Sequence, residues 1–134
     1  MKISNNGINV IKRFEGVRYK PYRCPAGLFT IGYGHLIGDG KQLPDSWNKT
    51  FTEREVDELL RKDLARFERG VTMLFPVSYQ FTQGMFSALC SFAFNGGVGL
   101  LQRSSVRSAL LRGDKAMAGE SLLKYNHGNL GINN

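Results

Sequence analysis

The sequence predicts an α+β protein in which a small antiparallel sheet lies between helices. Apolar residues recur at helical spacing near the start of the chain and again over most of its second half. Between them, from Tyr19 to Leu43, short aromatic and β-branched segments are separated by prolines and glycines, which favours strands and turns. A long helix would join the two parts, and a cleft between such lobes is where ligands bind.

The first helix is predicted to begin at the polar residues 4–6 and to end at Gly16. Its apolar positions follow helical spacing: Ile8, Ile11 and Phe14. Glu15 therefore falls in the last turn, at the negative end of the helix macrodipole. A carboxylate there is disfavoured, which predicts a raised pKa and a carboxyl group able to act as a general acid on an acetal bond. The alternative is an ordinary solvated glutamate.

The segment "FTIGYGH" is predicted to be a strand with two different faces. Alternation assigns four larger side chains to a packed face: Phe29, Ile31, Tyr33 and His35. Thr30 would share the open face with Gly32 and Gly34, and a hydroxyl between two glycines suggests a surface that a ligand approaches closely. The alternative is that the glycines only mark a bulge.

The long helix is predicted to begin at a capping box formed by Thr52 and Glu55 and to end near Gly70. Asp63 lies on its apolar stripe, where a carboxylate needs a partner, and His35 is the candidate. Further helices are predicted at 82–95, 104–112 and 114–125. The caps of these three helices are predicted from their residue types: Thr82, Ser104 or Ser105, and Asp114.

The composition is that of a single globular domain with an anionic partner. The chain has 134 residues, 42% of them hydrophobic, with a net charge of +7 and a pI near 9.7. Nucleic acid, acidic lipid and bacterial cell-wall polymers are all compatible with that charge. The basic residues are scattered and no aromatic stacking sheet accompanies them, which argues against nucleic acid. We expect a monomer.

The cysteines and histidines predict neither a disulfide nor a metal site. Cys24 and Cys90 are two thiols far apart in the sequence, and Cys90 lies on an apolar helix face as inert packing. His35 and His127 lie in different segments, so we expect no metal and no cofactor. The N-terminus lacks the apolar core of a signal peptide, and "MFSALCSFAFNGGVGLL" is too broken to span a bilayer.

Eight residues separate Glu15 from Cys24 and five separate Cys24 from Thr30. This spacing resembles the signature of the phage-type lysozyme family: a Glu, eight residues, an Asp or Cys, five residues and a Thr. Five segments are similar to family segments in the same order: "NGINVIKRFEG", "TIGYGH", "TEREVDELLRKDL", "FTQGMFSALCSFAFNGGVG" and "LLKYN".

The resemblance implies a lysozyme-like fold, with a β-lobe at about 16–50 and a helical lobe made of 1–15 and 51–134. It also implies hydrolysis of the β-1,4 bond between N-acetylmuramic acid and N-acetylglucosamine in peptidoglycan, for host lysis by a phage or prophage. Glu15 would be the general acid, and Cys24 with Thr30 would act below the sugar plane. Basic neighbours would help to deprotonate the Cys24 thiol: Arg18, Lys20 and Arg23.

Matching positions in the family add cleft-lining residues: Gly34, Leu36, Phe94, Asn95 and Ser105. Leu36 and Phe94 could equally be core residues. His35 and Asp63 are interpreted as a structural pair. The chain departs from the family after "KYN", where it continues "HGNLGINN" in place of a Gly-Leu and Arg-Arg-rich segment. This predicts that basic residues which the family brings to the cleft are missing.

Two other functions stay open. One is a lytic transglycosylase, which cuts the same bond but forms a 1,6-anhydro product; the Cys and Thr at family spacing argue against it. The other is a non-catalytic wall-binding component of a virion that keeps the fold. For a lysozyme of this family we expect synthesis in the host cytoplasm and action on the wall in the periplasm.

Overall fold

The computed structural model describes residues 1–120, which belong to two compact units. The sheet unit comprises Ile8–Ala65, and the helical unit comprises Met1–Gly7 together with the chain from Arg66 onward. Helices and strands follow one another in this order: α1 (Asn5–Glu15), β1 (Arg18–Arg23), β2 (Phe29–Gly32), β3 (His35–Leu36), a short 3₁₀ turn (Asp45–Trp47), α2 (Glu53–Met73), α3 (Gln83–Gly96), α4 (Val98–Gln102), α5 (Ser105–Leu111) and helical residues at 115–120. The predicted α+β class is confirmed.

Helix α1 begins and ends where the sequence predicts. The Ser4 hydroxyl accepts a hydrogen bond from the Gly7 amide at 3.1 Å and caps the first turn. Gly16 ends the helix in a left-handed conformation, with φ at +68°. Phe14, the third apolar residue of the spacing, is 55% exposed, whereas Ile8 and Ile11 are buried. Each three-residue step falls about 60° short of a full turn, so a third apolar residue drifts off the stripe.

The sheet has the order β1-β2-β3, and both strand pairs are antiparallel. Thr30 is paired with Tyr22 of β1 on one side and with Leu36 of β3 on the other. Strand β2 ends at Gly32, whose φ of +67° begins the turn into β3. The predicted alternation therefore stops there, and the expectation that Thr30 lies on an open face is wrong: it is only 4% exposed.

The capping box of α2 is confirmed by two hydrogen bonds. The Thr52 amide donates to Glu55 Oε1 at 2.9 Å, and the Glu55 amide donates to Thr52 Oγ1 at 3.1 Å. The helix continues to Met73 and does not end near Gly70 as predicted. A Cβ at Gly70 would lie 2.8 Å from Val98 Cγ2, so this glycine serves close packing inside the helical unit.

The N-terminal segment is anchored to the helical unit by hydrogen bonds across long stretches of sequence. The Ile3 amide donates to Glu68 Oε2 at 2.7 Å, and the Ser4 amide donates to Ser87 Oγ at 3.1 Å. The Gln83 side chain donates to the Lys2 carbonyl at 2.8 Å. The first residues of the chain are therefore part of this unit's structure.

Helices α3 and α5 and the helical residues at 115–120 begin at predicted caps. Thr82 accepts from the Met85 amide, and Ser104, rather than Ser105, caps α5 by accepting from the Arg107 amide. Asp114 accepts from the Met117 amide at 3.0 Å. The continuation of the predicted helix 114–125, the "LLKYN" segment and His127 lie outside the described residues.

Helix α4 was not predicted from the sequence. It is five residues long and follows Gly97, so its amphipathic pattern is too short to recognise. In the part of the chain that the structure describes, no helix combines the length and apolar character needed to cross a bilayer.

Candidate active site

Glu15 is the last residue of α1, and its carboxyl group has a raised pKa. The residue is exposed overall, but desolvation of the carboxyl by surrounding protein atoms raises its pKa. The direction agrees with the sequence prediction, and desolvation is a cause that the sequence did not indicate. Burial penalises the charged form, so the neutral acid persists to higher pH than in an ordinary glutamate.

Gly34 lies beside this carboxyl group. It follows β2 in the turn to β3, with φ at +80°. A Cβ built on Gly34 would be 3.2 Å from Glu15 Oε1. The turn thus leaves space for the acid where any other residue would place a carbon atom.

Cys24 follows β1 in a tight turn that leads to β2. Its amide donates to the Leu28 carbonyl at 2.9 Å, and the Gly27 amide donates to the Cys24 carbonyl at 2.7 Å. The pKa of the Cys24 thiol is lowered, mainly by a hydrogen bond with the Leu28 backbone, against some desolvation. The Ala26 backbone and the Thr30 side chain lower it further. Hydrogen bonds to the sulfur thus favour the thiolate.

Hydrogen bonding is the leading cause of this thiol's lowered pKa, where the sequence predicted a cluster of basic residues. The Arg18 guanidinium lies 4.6 Å from the centre of the Tyr22 ring, and that of Arg23 lies 4.2 Å from the centre of the Phe29 ring. Arg23 also donates to the Gly27 carbonyl at 2.9 Å. These contacts hold both guanidinium groups against rings and backbone of the sheet unit.

Thr30 is buried directly behind the turn that holds Cys24. Its hydroxyl donates to the Leu28 carbonyl at 2.9 Å, and its side chain is among the causes that lower the pKa of the Cys24 thiol. The structure therefore brings Cys24 and Thr30 together through the same turn. A hydroxyl so engaged holds the turn and the thiol in place.

Tyr22 belongs to this group and was missed by sequence reasoning. Desolvation raises the pKa of its phenol; Arg18 opposes this, and the negative charges of Cys24 and Glu15 add to it. Tyr22 thus lies within electrostatic reach of both reactive groups. The sequence indicates this proximity, because Tyr22 and Cys24 are two residues apart at the end of β1 and alternate residues of an extended chain point to the same side.

The remaining position-matched residues are divided between the units. Leu36, on β3, is 43% exposed, which agrees with a surface role rather than a core role. In the helical unit, Phe94 is half-buried with its ring 5.4 Å from that of Phe67. Asn95 is exposed on α3 and donates to the Ser91 carbonyl, and Ser105 is the exposed first residue of α5. Their contact with a substrate stays a prediction.

His35 and Asp63 meet inside the sheet unit. His35 Nδ1 lies 2.9 Å from Asp63 Oδ2, and the two side chains are 20% and 11% exposed. The imidazole stacks on Trp47 with ring centres 5.9 Å apart. The pair joins β3 to α2. Over residues 1–120, no group of three or more His, Cys, Asp or Glu side chains could hold a metal ion.

Comparison with known proteins gives consistent results. Residues 12–133 match the family model for phage lysozyme. The chain is 39% identical over 128 residues to the endolysin of Bacillus phage B103, an alignment that covers 94% of this chain and 46% of the relative. It is 38% identical over 125 residues to the endolysin of Salmonella phage P22, with 92% and 83% covered.

The fold is also similar to a solved structure of an endolysin from Escherichia coli O157:H7 phage FAHEc1. The TM-score is 0.80 at 30% identity, with 94% of this chain and 77% of the other covered. The chain spans about half the length of the Bacillus phage endolysins it matches, and most of the length of the P22 and FAHEc1 proteins.

Proposed function

This chain belongs to the phage lysozyme family, and from that membership we propose that it hydrolyses bacterial peptidoglycan during host lysis by a phage or prophage. The bond cleaved is the β-1,4 linkage between N-acetylmuramic acid and N-acetylglucosamine. The observation that carries the proposal is the raised pKa of Glu15, in the unit that also holds an acidified Cys24 thiol against Thr30.

Glu15 donates its proton to the glycosidic oxygen as the bond breaks. The departing sugar is then a neutral alcohol, and positive charge develops on the remaining ring in an oxocarbenium-like transition state. Water supplies the hydroxyl group that the ring carbon gains, and its remaining proton restores the Glu15 carboxyl. A carboxyl group that stays protonated at higher pH supports this step, because only the protonated form can donate.

Cys24 supplies negative charge close to the developing cation. Its thiolate takes the place of the aspartate found in many family members, and hydrogen bonds to the sulfur keep it deprotonated at lower pH than an ordinary thiol. Thr30 holds the Cys24 turn through its bond to the Leu28 carbonyl. The Tyr22 phenol interacts electrostatically with Cys24 and with Glu15, and it adds a third polar group to the site.

The proposed substrate is the glycan strand, and further contacts come from the position-matched residues Gly34, Leu36, Phe94, Asn95 and Ser105. The protein acts in the periplasm as a monomer. Its positive charge favours approach to the anionic wall.

Clearing of purified cell walls by the wild type and by a Glu15→Gln variant tests the proposal. The amide cannot donate the proton, so clearing should fall by about 10²- to 10⁴-fold while the fold is kept. Glu58→Gln, at an exposed position on α2, is the matched control and should clear walls like the wild type. Normal clearing by Glu15→Gln would remove the acid assignment.

Analysis of the products separates the proposal from the two other functions. A hydrolase leaves new reducing ends, whereas a lytic transglycosylase leaves 1,6-anhydro ends. A wild-type protein that sediments with walls but releases no fragments would be a wall-binding component, and the hydrolase proposal would be abandoned.

A further inference from the structure

We propose that Gly34 is a positioning residue for Glu15. Because Gly34 has no side chain, the Glu15 carboxyl group can occupy the position from which it donates its proton. The inference rests on the proposed role of Glu15 as the acid. It goes beyond a cleft-lining role for Gly34, because the effect passes through the carboxyl group rather than through contact with sugar.

The steric evidence is specific to one atom. A Cβ on Gly34 would lie 3.2 Å from Glu15 Oε1, and among the described residues it meets no other atom within 4 Å apart from its chain neighbours. A carbon–oxygen approach this close requires one of the two atoms to move by a few tenths of an ångström. The carboxyl is at the end of a flexible side chain, so the carboxyl moves.

The direction of that movement follows from the surroundings. Glu15 is exposed as a residue although its carboxyl is partly desolvated, and a methyl group offers no hydrogen bond to hold the carboxyl where it was. The carboxyl therefore turns towards water. A general acid has to stay within hydrogen-bond reach of the leaving oxygen, so even a movement of a few tenths of an ångström away from that position lowers the rate.

Backbone strain must be separated from this contact, and the chain offers a matched control. Gly113, after α5 in the helical unit, has a φ of +80°, the same as Gly34. A Cβ on Gly113 would meet nothing within 4 Å. Alanine at either position suffers the same left-handed backbone conformation, but only alanine at 34 touches the Glu15 carboxyl.

The experiment is a titration of the Glu15 carboxyl by carbon-13 NMR in the full chain, for the wild type, Gly34→Ala and Gly113→Ala. We expect the pKa of Glu15 to fall towards the ordinary glutamate value of about 4.3 in Gly34→Ala and to stay raised in Gly113→Ala. Wall clearing by Gly34→Ala should be several-fold slower than by Gly113→Ala. If the alanine variants fold poorly, Gly34→Asn and Gly113→Asn repeat the comparison, because asparagine tolerates positive φ.

An unchanged or higher Glu15 pKa in the Gly34 variant would overturn the inference, and so would wall clearing equal to that of the Gly113 variant. The titration needs no substrate, which keeps the two proposals distinguishable. A wild type that clears no walls defeats the proposed function; a Glu15 pKa that does not respond at Gly34 defeats this inference alone.

Discussion

At the residue scale, the environment that raises the pKa of Glu15 also makes the fold less stable when this carboxyl is charged. The folded-state pKa lies above the unfolded value, so the contribution to stability is fully present below the unfolded pKa and is lost as pH rises through the folded one. The group suited to proton donation is therefore a destabilising residue at neutral pH.

Glu15→Gln should consequently raise the melting temperature near pH 8 and leave it almost unchanged near pH 3, on either side of an ordinary carboxyl pKa of about 4.3. The reason is that the amide is neutral at every pH, as is the wild-type acid at low pH. Calorimetry at the two pH values measures the effect, with Glu58→Gln as the control for loss of one exposed negative charge. A Gln variant that is no more stable than the wild type at pH 8 would contradict this account.

The two cysteines should differ strongly in reactivity. Hydrogen bonds lower the pKa of Cys24, whereas burial raises the pKa of Cys90 to about 12. The thiolate is the reactive form, so iodoacetamide at neutral pH should label Cys24 first and spare Cys90 in the folded protein. Peptide mass spectrometry gives the order of labelling, and loss of wall clearing should keep pace with modification of Cys24. Preferential labelling of Cys90 would refute the assignment.

Substitutions at position 24 test whether the sulfur supplies charge to the site. Cys24→Asp should keep substantial wall-clearing activity and resist the alkylating reagent, because a carboxylate also presents negative charge. Cys24→Ala should lose most of the activity. An alanine variant that clears walls as well as the wild type would make Cys24 an ordinary turn residue.

The spacing of Glu15, Cys24 and Thr30 could be read from the sequence, but the physical causes of their properties could not. The acidity of Cys24 depends on backbone amides, and every residue has an amide, so only the turn conformation shows that those of Leu28 and Ala26 favour the thiolate. The nearby arginines were visible in the sequence, but the hydrogen bonds that are the leading cause of the lowered pKa were not.

At the element scale, His35 and Asp63 connect β3 to α2. Replacing either residue with Asn should lower the free energy of unfolding, and the double variant should lose less than the sum. We expect a coupling energy of about 0.5–3 kcal/mol, because the pair is largely buried. Urea unfolding of the four proteins of a double-mutant cycle measures it.

The exposed pair of Arg54 and Glu58 is the control for this cycle. It has the i,i+4 spacing, and its side chains are 89% and 65% exposed, so its coupling should not exceed about 0.5 kcal/mol. Strictly additive losses at His35 and Asp63 would show that their contact does not stabilise the protein.

Elements with strong local signals could be predicted, and those set by tertiary packing could not. The capping box of α2 is a local pattern and was found. The end of α2 was misplaced because Gly70 looks like a stop signal, whereas Val98 needs the space that it leaves. The burial of Thr30 was missed because a positive φ at Gly32 ends the strand alternation.

At the scale of the whole molecule, the net charge of +7 should govern attachment to the wall more than the chemistry. Co-sedimentation with purified peptidoglycan should weaken as NaCl is raised from about 0.1 M to about 1 M, because the screening length falls from about 10 Å to about 3 Å. Chitin, a neutral polymer of related sugars, is the control and should show little dependence on salt. Equal salt dependence for both polymers would mean that charge does not drive attachment.

The hydrogen bonds of the N-terminal segment determine when the helical unit can be completed on the ribosome. Ser4 is made before its partner Ser87, which follows 83 positions later. At about 5–20 residues per second, the partner is synthesised on the order of 4–17 seconds afterwards. The sheet unit is continuous in sequence and can fold during that interval, while the first seven residues wait for α3 to emerge.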